Sequence, residues 1–296
     1  MVNSDLKIVL VKNDLITIKV YTFIVISENV VIIIDTGTKE CFDNLYKELK
    51  KINNLHKYEY KYLLNTHFHS DHIGSNSLLK EKFKILTIGS EINNYFLSKY
   101  NNYFEHVSNL LSGGYAGYIN DFKELFLREV GHSYDTDIIF SQKFKLKIGK
   151  RYIESVETSG HTVSDFCFKD NMNEFIIIGD SLSPLETNWM IYYENVKKYL
   201  MSLNNIKNMV KKFGIKNIYT THYGKISPDL LFKKINESKK YCNNINRILL
   251  ENKNNWNDLD YLAKVVCNSL GKIINLLSYV SLKSHLSFLK EDKEIF

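Results

Sequence analysis

The sequence contains little cysteine and little proline. Its 296 residues include four cysteines and two prolines, Pro184 and Pro228. The cysteines are dispersed and form no C-x-x-C pair, which indicates reduced thiols and neither a disulfide scaffold nor a thiolate zinc site. No proline-rich linker separates parts of the chain. With 44% hydrophobic residues, the chain can bury one large core plus a small appendage.

Long apolar runs and a secretion signal are also missing. The longest aliphatic runs, 30–34 and 176–178, are far shorter than the roughly 20 apolar residues that a membrane-spanning helix requires. The N-terminus lacks the basic start, apolar stretch and small-residue cleavage site of a secretion signal. We therefore expect a cytoplasmic protein with no membrane partner.

Arginine is scarce although the net charge is +6. Of the 39 basic residues, 36 are lysine and three are arginine: Arg128, Arg151 and Arg247. Only arginine has a planar guanidinium group, a rigid fork that can donate two parallel hydrogen bonds to one phosphate. Surfaces that bind nucleic acid tend to use that fork. We therefore expect a small-molecule substrate, with nucleic acid as the weaker alternative, and the sequence predicts no oligomeric state.

Hydrophobic periodicity predicts alternating strands and helices. β-branched runs broken by Glu28 and Asn29 predict an opening β-meander. Phe42, Leu45 and Leu49 recur at helical spacing and predict a helix that packs one face on a sheet. Strands are predicted at 16–20, 22–26, 30–35, 62–65, 138–140, 144–148, 152–157, 166–169, 175–178 and 217–221, with a further helix at 194–212.

Two segments interrupt or extend this pattern. Residues 90–135 lack strand alternation and contain Gly113, Gly114 and Gly117, which predicts a helical insertion between core elements. Residues 229–296 read as helix, with apolar stripes at Leu259 and Leu282 and their helical neighbours. We therefore predict a principal domain over residues 1–228 and a helical tail over 229–296.

The motif His67-Phe-His69-Ser-Asp71-His72 carries the chemistry. His67, His69 and Asp71 alternate with period two directly after a predicted strand, so their side chains project to one side of an extended loop. His72 follows as the chain turns at Gly74. Three imidazoles and a carboxylate within six residues would be costly to bury without a cation. The motif therefore predicts a metal site.

Further candidate ligands stand where other apolar strands end. His161 follows the strand at 152–157, Asp180 ends the strand at 175–178, and His222 ends the strand at 217–221. Such positions converge on one rim of a sheet. We therefore expect these three residues to join the histidine motif.

Five short motifs resemble the metallo-β-lactamase superfamily in order and approximate spacing: Asp35-Thr-Gly37, the H-x-H-x-D-H motif, Gly160-His161-Thr162, Gly179-Asp180 and Thr221-His222. The resemblance spans about residues 15–225. It implies an α+β fold, a four-layer αββα sandwich, with metals in a cleft at one edge of two sheets. The helices after residue 228 would form a C-terminal extension.

The same resemblance implies a division of the ligands between two metal ions. His67, His69 and His161 would bind the first ion. Asp71, His72 and His222 would bind the second, and Asp180 would bridge both. Asp35 would orient the metal-binding loop, and such supporting groups tune metal ligands strongly.

Imidazole and carboxylate ligands without thiolate suit zinc, iron or manganese, and zinc is the first expectation. Two such ions lower the pKa of a bridging water and polarise the substrate oxygen, which predicts hydrolysis by a metal-bridging hydroxide. Asp71 would both bind metal and help to pass a proton to the leaving group. An ester, a thioester or a similar small-molecule bond is the expected target.

Several functions within the superfamily stay open. True β-lactamases lack the bridging aspartate that Asp180 supplies, and Ser183 stands where quorum-signal lactonases carry a tyrosine. The ligand set resembles that of glyoxalase II thioesterases, lactonases and related hydrolases. The alternatives are a single-strand ribonuclease or phosphodiesterase, a mononuclear-iron sulfur dioxygenase, or an effector protein that binds metal without turnover.

The tail allows two interpretations. Residues 256–270 and 284–295 resemble the winged-helix-like extension of a hydrolase branch that includes ribonucleases, whereas two amphipathic helices docked on the core would show the same stripes. Cys167 is expected in the core. Tyr192, Tyr193 and Tyr223 are candidate hydrogen-bond donors to substrate. Four histidines are expected at the surface: His56, His106, His132 and His285.

Overall fold

Two six-stranded sheets form the centre of the molecule. The computed structural model describes residues 6–15, 18–52, 58–112 and 114–291. The first sheet contains β1 to β6 in chain order: Lys7–Asp14, Lys19–Ser27, Val30–Ile34, Tyr60–Leu64, Leu86–Ser90 and Ile138–Phe140. The second sheet contains β7 to β12, from the outer edge strand β7 through to β12: Lys145–Ile148, Arg151–Glu157, Phe166–Asp170, Phe175–Ile178, Asn217–Thr220 and Gly224–Ile226.

Helices connect these strands and follow them. Three helices precede the insertion: α1 Phe42–Lys51, α2 Ser70–Ile73 and α3 Asn76–Phe83. Three form the insertion: α4 Glu91–Ser98, α5 Tyr100–Leu110 and α6 Ala116–Glu129. The helix α7, Val196–Phe213, connects β10 to β11. Three helices form the tail: α8 Pro228–Glu251, α9 Leu259–Leu270 and α10 Leu276–Glu291.

The two sheets pack face to face, with helices on both outer faces. Ile32 and Ile34 of β3 meet Phe168 and Ile177 of the second sheet in a shared apolar layer. Because strand side chains alternate between faces, Ile33 points outward, where it packs with α1 and α3. The outer face of the second sheet is covered by α7 and α8. This confirms the four-layer αββα arrangement.

The insertion and the tail pack against each other in a separate apolar cluster. Tyr103 and Phe104 of α5 lie in this cluster with Phe126 of α6, Leu262 of α9 and Leu282 of α10. Three helices, α4, α5 and α6, lie within the segment predicted as a helical insertion, and its assignment as an insertion over 90–135 stays a prediction. Residues 229–291 contain three helices and no strand, while the boundary at 228 and the winged-helix likeness stay predictions.

Parallel pairing brings the ends of the central strands to one edge. Strand β3 pairs in parallel with β4, and β10 pairs in parallel with β11. Their carboxyl ends therefore meet at a common rim, because parallel strands run in the same direction. The strands predicted at 16–20 and 22–26 are wrong as separate elements: β2 runs unbroken from Lys19 to Ser27, and residues 16 and 17 lie outside the described part.

The expectation that His285 lies at the surface is wrong. It is fully buried in α10, and its Nδ1 lies 2.7 Å from Oδ1 of Asn246 on α8. His132 is exposed as expected, His106 is half-buried, and His56 lies outside the described residues. Within the described ranges, no helix is both long and apolar enough to span a bilayer.

Candidate metal centre

The seven predicted ligands meet at the common rim of the two sheets. After β4 the chain runs through His67 and His69 into α2, which carries Asp71 and His72. His161 lies between β8 and β9, Asp180 begins a short 3-10 helix after β10, and His222 follows β11. Each side chain therefore comes from a loop or a short helix that follows a strand.

The ligand atoms form three overlapping groups in which all atoms lie within 4.8 Å of one another. The groups are His67 with His69 and His161; Asp71 with His72 and His222; and His67 with His72 and Asp180. The first two are the sets that the resemblance assigns to two separate ions. The third group joins them, since it draws one histidine from each.

Asp180 lies between the two outer groups. Its Oδ1 is 3.0 Å from Nε2 of His222 and 3.3 Å from Nε2 of His72. Its Oδ2 is 3.6 Å from Nε2 of His161 on the other side. One carboxylate oxygen therefore faces each group, which is the placement that a bridging ligand requires.

The second ring nitrogen of most of these histidines is held by the protein. Nδ1 of His161 lies 2.8 Å from the carbonyl oxygen of Tyr192, and Nδ1 of His222 lies 2.8 Å from that of Lys19. A carbonyl accepts only from N–H, so both rings carry a proton on Nδ1 and turn Nε2 towards the other candidate ligands. Such contacts orient ligands and raise their basicity.

Asp35 makes hydrogen bonds to the histidine loop, the segment after β4 that carries His67 and His69. Its Oδ1 accepts the backbone N–H of Thr66 at 2.7 Å, and its Oδ2 accepts the Thr66 hydroxyl at 2.8 Å. The same Oδ2 lies 3.0 Å from Nδ1 of His72. Asp35 is fully buried and adopts a φ of +58°, which is costly for a residue other than glycine. These contacts tie Asp35 to the loop that carries the histidines, and its supporting role at a metal site stays a prediction.

Burial keeps several of the imidazoles neutral. It lowers the pKa of His69 to about 4 and that of His161 to about 3, and it lowers the pKa of His67 well below its usual range. Nε2 of His67 is buried and has no hydrogen-bond partner. A neutral imidazole with a free, buried nitrogen is the form that binds a metal ion.

The carboxylates add the charge that a cation would balance. Burial raises the pKa of Asp71 and Asp180, but His72 and His222 outweigh it, so the pKa of Asp71 falls to about 2 and that of Asp180 well below its usual range. Burial in turn lowers the pKa of His72 and His222, but these carboxylates outweigh it and raise both values. Buried anions beside a free nitrogen fit divalent cations.

Two glycines allow the close approach of the loops that carry ligands. Gly160, which precedes His161, has a φ of +138°, and a Cβ there would lie 2.2 Å from the backbone nitrogen of Tyr199. A Cβ on Gly74 would lie 2.4 Å from the carbonyl oxygen of Glu129. Side chains are therefore excluded at both positions, on steric grounds at each and by backbone conformation at Gly160.

A cleft of about 720 Å³ opens over the site. Asp71, His161, Asp180 and His222 line its floor. The insertion helix α6 forms one wall and is fixed to the histidine loop, because Ser70 Oγ donates to Glu129 Oε2 at 2.5 Å. The insertion therefore helps to shape the space in which a substrate would bind.

Sequence reasoning missed several residues that hold the site. The carboxylate of Asp165 accepts the backbone N–H and the hydroxyl of Thr162, both at 2.7 Å, and so fixes the turn after His161. The spacing of Thr162 and Asp165 is a local turn pattern that could have been recognised. The backbone carbonyl of Tyr192 has no such signal, since any residue could supply it.

The hydroxyl groups of Tyr192 and Ser183 already donate hydrogen bonds within the protein, and Tyr193 does not reach the cleft. Tyr192 lines the cleft, but its hydroxyl donates to Glu194 Oε1 at 2.9 Å, and its ring packs 5.1 Å from that of His69. Tyr193 is fully buried. Ser183 lines the cleft and donates to the carbonyl oxygen of Asp180 at 2.7 Å.

Comparison with known proteins agrees with this geometry. A family model described as Metallo-beta-lactamase superfamily matches residues 17–222. The chain is 29% identical over 155 residues to a hydroxyacylglutathione hydrolase of Pelagibacter ubique (strain HTCC1062). That match covers 52% of this chain and 49% of the other, so this chain spans about half the length of that relative.

Two solved structures have a similar fold over nearly the whole chain. A metallo-beta-lactamase family protein from Thermus thermophilus superposes with a TM-score of 0.70 at 16% identity, covering 98% of this chain and 94% of its own. A beta-lactamase domain protein from Burkholderia ambifaria gives 0.68 at 13% identity, covering 99% and 88%. Both similarities include the helical tail, and at this identity they show the fold alone.

Proposed function

This chain belongs to the metallo-beta-lactamase superfamily, and from that premise we propose that it is a metal-dependent hydrolase that cleaves an ester or thioester bond in a small molecule. The observation that carries the proposal is the position of Asp180, with one carboxylate oxygen towards each histidine group. A site for two ions is an arrangement that many hydrolytic metalloenzymes use.

The proposed ligands follow the two groups. His67, His69 and His161 would hold one divalent ion, and Asp71, His72 and His222 would hold the other, with Asp180 shared. Zinc is the proposed metal, because imidazole and carboxylate ligands without thiolate suit it, although iron and manganese accept the same ligands. When bound, such ions supply Lewis-acid chemistry that activates water and polarises the scissile carbonyl.

The chain's own residues would position the reaction and move its proton. Asp71 lines the cleft with its side chain 19% exposed, so its carboxylate can accept a proton from water and return it to the leaving group. Tyr192 packs its ring beside His69 and His161 and keeps water from that side. Asp35 and Thr66 hold the histidine loop in place.

Two observations favour an ester or thioester over a nucleic acid. The hydroxyacylglutathione hydrolase that resembles this chain is named for a thioester substrate. Among the described residues that line the cleft, Arg128 is the one permanent cation, while Asp14, Glu40 and Glu129 bring carboxylates. A polyanion would meet little attraction there, because phosphate binding relies on several lysines or arginines.

Activity of the protein in defined metal forms tests the proposal. Protein stripped of metal and reloaded with zinc, manganese or iron would be assayed on thioesters, esters, lactones and phosphodiesters. We expect turnover of thioesters or esters that chelation abolishes and metal restores. Two variants that make the same substitution show whether a loss of activity comes from the ligand set. Asp180→Asn should lose turnover, whereas Asp121→Asn, at an exposed position of α6, should keep it.

Two results would overturn the proposal. Oxygen uptake on a persulfide substrate with one iron per chain would indicate a sulfur dioxygenase. A flat response across the whole panel, with both metal positions filled, would indicate a protein that binds metal without turnover.

A further inference from the structure

The cleft above the metal centre has a mainly apolar lining. Phe122, Leu125 and Phe126 of α6 contribute to it, and Trp189 and Leu277 come from other parts of the chain. A large, mostly apolar cleft with few polar groups is typical of small-molecule sites. The cleft also carries charged groups outside the ligand set, such as Arg128, and its apolar side chains can contact another portion of the substrate.

One face of α6 forms the apolar wall. Phe122, Leu125, Phe126 and Glu129 recur at i, i+3, i+4 and i+7, the spacing that places side chains on one side of a helix. Glu129 is fixed to Ser70, which lies between two of the proposed ligands. At a rise of about 1.5 Å per residue, Phe122 lies about 10 Å further along the helix axis. The wall therefore leads away from the metal centre.

Trp189 and Ile191 also line the cleft, on a segment that the tail supports. Ile273 pairs with Trp189 in an isolated β-bridge, and Lys272 donates to the carbonyl oxygen of Leu185 at 2.8 Å. Ser281 of α10 donates to the carbonyl oxygen of Ile191 at 2.6 Å. The tail thus fixes this segment of the cleft lining.

We propose that the apolar part of the cleft, lined by α6 and Trp189 and called here the acyl channel, binds an apolar acyl group. The substrate is then an ester or thioester with an extended hydrocarbon chain on the carbonyl side. The proposal rests on the hydrolase function stated above and names its substrate class. It places the scissile carbonyl at the ligand set and the chain between α6 and Trp189. A highly charged acyl group would leave this wall without a partner and bring charge into apolar surroundings.

Leu125 is the residue that makes the proposal testable. Leu125 and Leu127 lie on the same helix and are each 46% exposed, but only Leu125 lines the cleft. The two substitutions Leu125→Asp and Leu127→Asp therefore change the same residue type at equal exposure. A general effect on the stability or solubility of the protein should appear in both variants. An effect on substrate binding should appear in Leu125→Asp alone.

The kinetic test measures kcat/KM for neutral thioesters of N-acetylcysteamine with acetyl, butyryl, hexanoyl and octanoyl groups. In the wild type, kcat/KM should rise with each added methylene by up to about fourfold, the value for burial of one such group. Leu125→Asp should lower kcat/KM for octanoyl by about tenfold and leave acetyl within about twofold. Leu127→Asp should change neither. Equal rates along the series, or equal effects of both variants, would overturn the proposal.

A binding measurement keeps this test separate from the hydrolase proposal. Trp189 lines the cleft, so its fluorescence should change when octanoate binds but not when acetate is added at the same concentration. Trp189→Phe should remove the change. If no thioester is hydrolysed but octanoate still alters the fluorescence, the hydrolase proposal fails and the acyl channel stands. If acetyl thioester is hydrolysed and octanoate has no effect, the channel is refuted.

Discussion

Asp180 Oδ1 lies 3.0 Å from Nε2 of His222, so residues that end the neighbouring strands β10 and β11 meet at one point. Parallel pairing of these strands produces this meeting, because it brings both carboxyl ends to the same edge. The opposite carboxylate oxygen faces the other histidine group. The proposed sharing of Asp180 between two ions depends on this geometry.

Replacement of Asp180 by asparagine should disrupt both proposed metal positions. The amide presents one oxygen and one N–H₂ group, so it cannot offer an acceptor to each side. We expect hydrolytic activity to fall at least about 100-fold, the upper end of the loss that follows removal of a supporting group. Steady-state kinetics with saturating zinc would measure this. Asp121→Asn serves as the control, and equal activity of both variants would refute a bridging role.

Asp35 should act through the histidine loop and not through substrate. Asp35→Ala removes both acceptors from Thr66 and the partner of His72, so zinc affinity should fall about 10- to 100-fold. Asp35→Asn keeps one acceptor and tolerates a positive φ, so it should lie between alanine and wild type. Competition with a fluorescent zinc chelator measures the affinities. Equal losses in the two variants would contradict this explanation.

Gly160 should tolerate no side chain. Gly160→Ala forces a Cβ towards the backbone of Tyr199 at a φ of +138°, and we expect the free energy of unfolding to fall by roughly 2 to 4 kcal/mol. Gly117 provides the contrast, because a Cβ there meets nothing within 4 Å and the residue lies in α6. Gly117→Ala should raise that free energy by roughly 0.5 to 1 kcal/mol. Urea unfolding measures both, and equal effects would contradict this account.

His285 should make stability depend on pH. Burial lowers its pKa to about 3 from an ordinary value of 6.5, so the unfolded chain binds a proton at this residue between those values and the folded chain does not. Its neutral form therefore contributes full stability above pH 6.5, which is lost as the pH falls towards 3. Between pH 6 and pH 5, wild type should lose roughly 1 kcal/mol more than His285→Gln.

The control for this prediction is His132→Gln, which removes an exposed histidine. Urea unfolding at several pH values should give this variant the same pH dependence as wild type. If His285→Gln shows the wild-type dependence as well, the buried histidine is not the source.

The ligand positions could be predicted because they depend on local pattern. His67 and His69 lie in the loop after β4, as predicted, but Asp71 lies in the short helix α2, so the extended loop predicted for all three residues ends at His69. His161 and His222 each follow a predicted strand. These signals need no knowledge of which strands pair. All the predicted ligands lie together in the structure, although their metal-binding roles stay predictions.

The supporting contacts could not be predicted, since they depend on packing between distant parts of the chain. Ser281, Ser284 and His285 give α10 a polar appearance, yet each is buried with a hydrogen-bond partner on another element. Strands β5 and β12 are short and lack clear alternation, so pairing with neighbours defines them. The contact between Ser70 and Glu129 likewise exists only because the insertion folds back on the histidine loop.

The number of metal ions bound per chain tests the central claim most directly. Protein purified without added metal, stripped with a chelator and saturated with zinc would be analysed by mass spectrometry of its metal content. The proposed site predicts two zinc ions per chain in the wild type and no more than one in Asp180→Asn. One ion or none in the wild type, or two in the variant, would contradict a two-metal site bridged by Asp180.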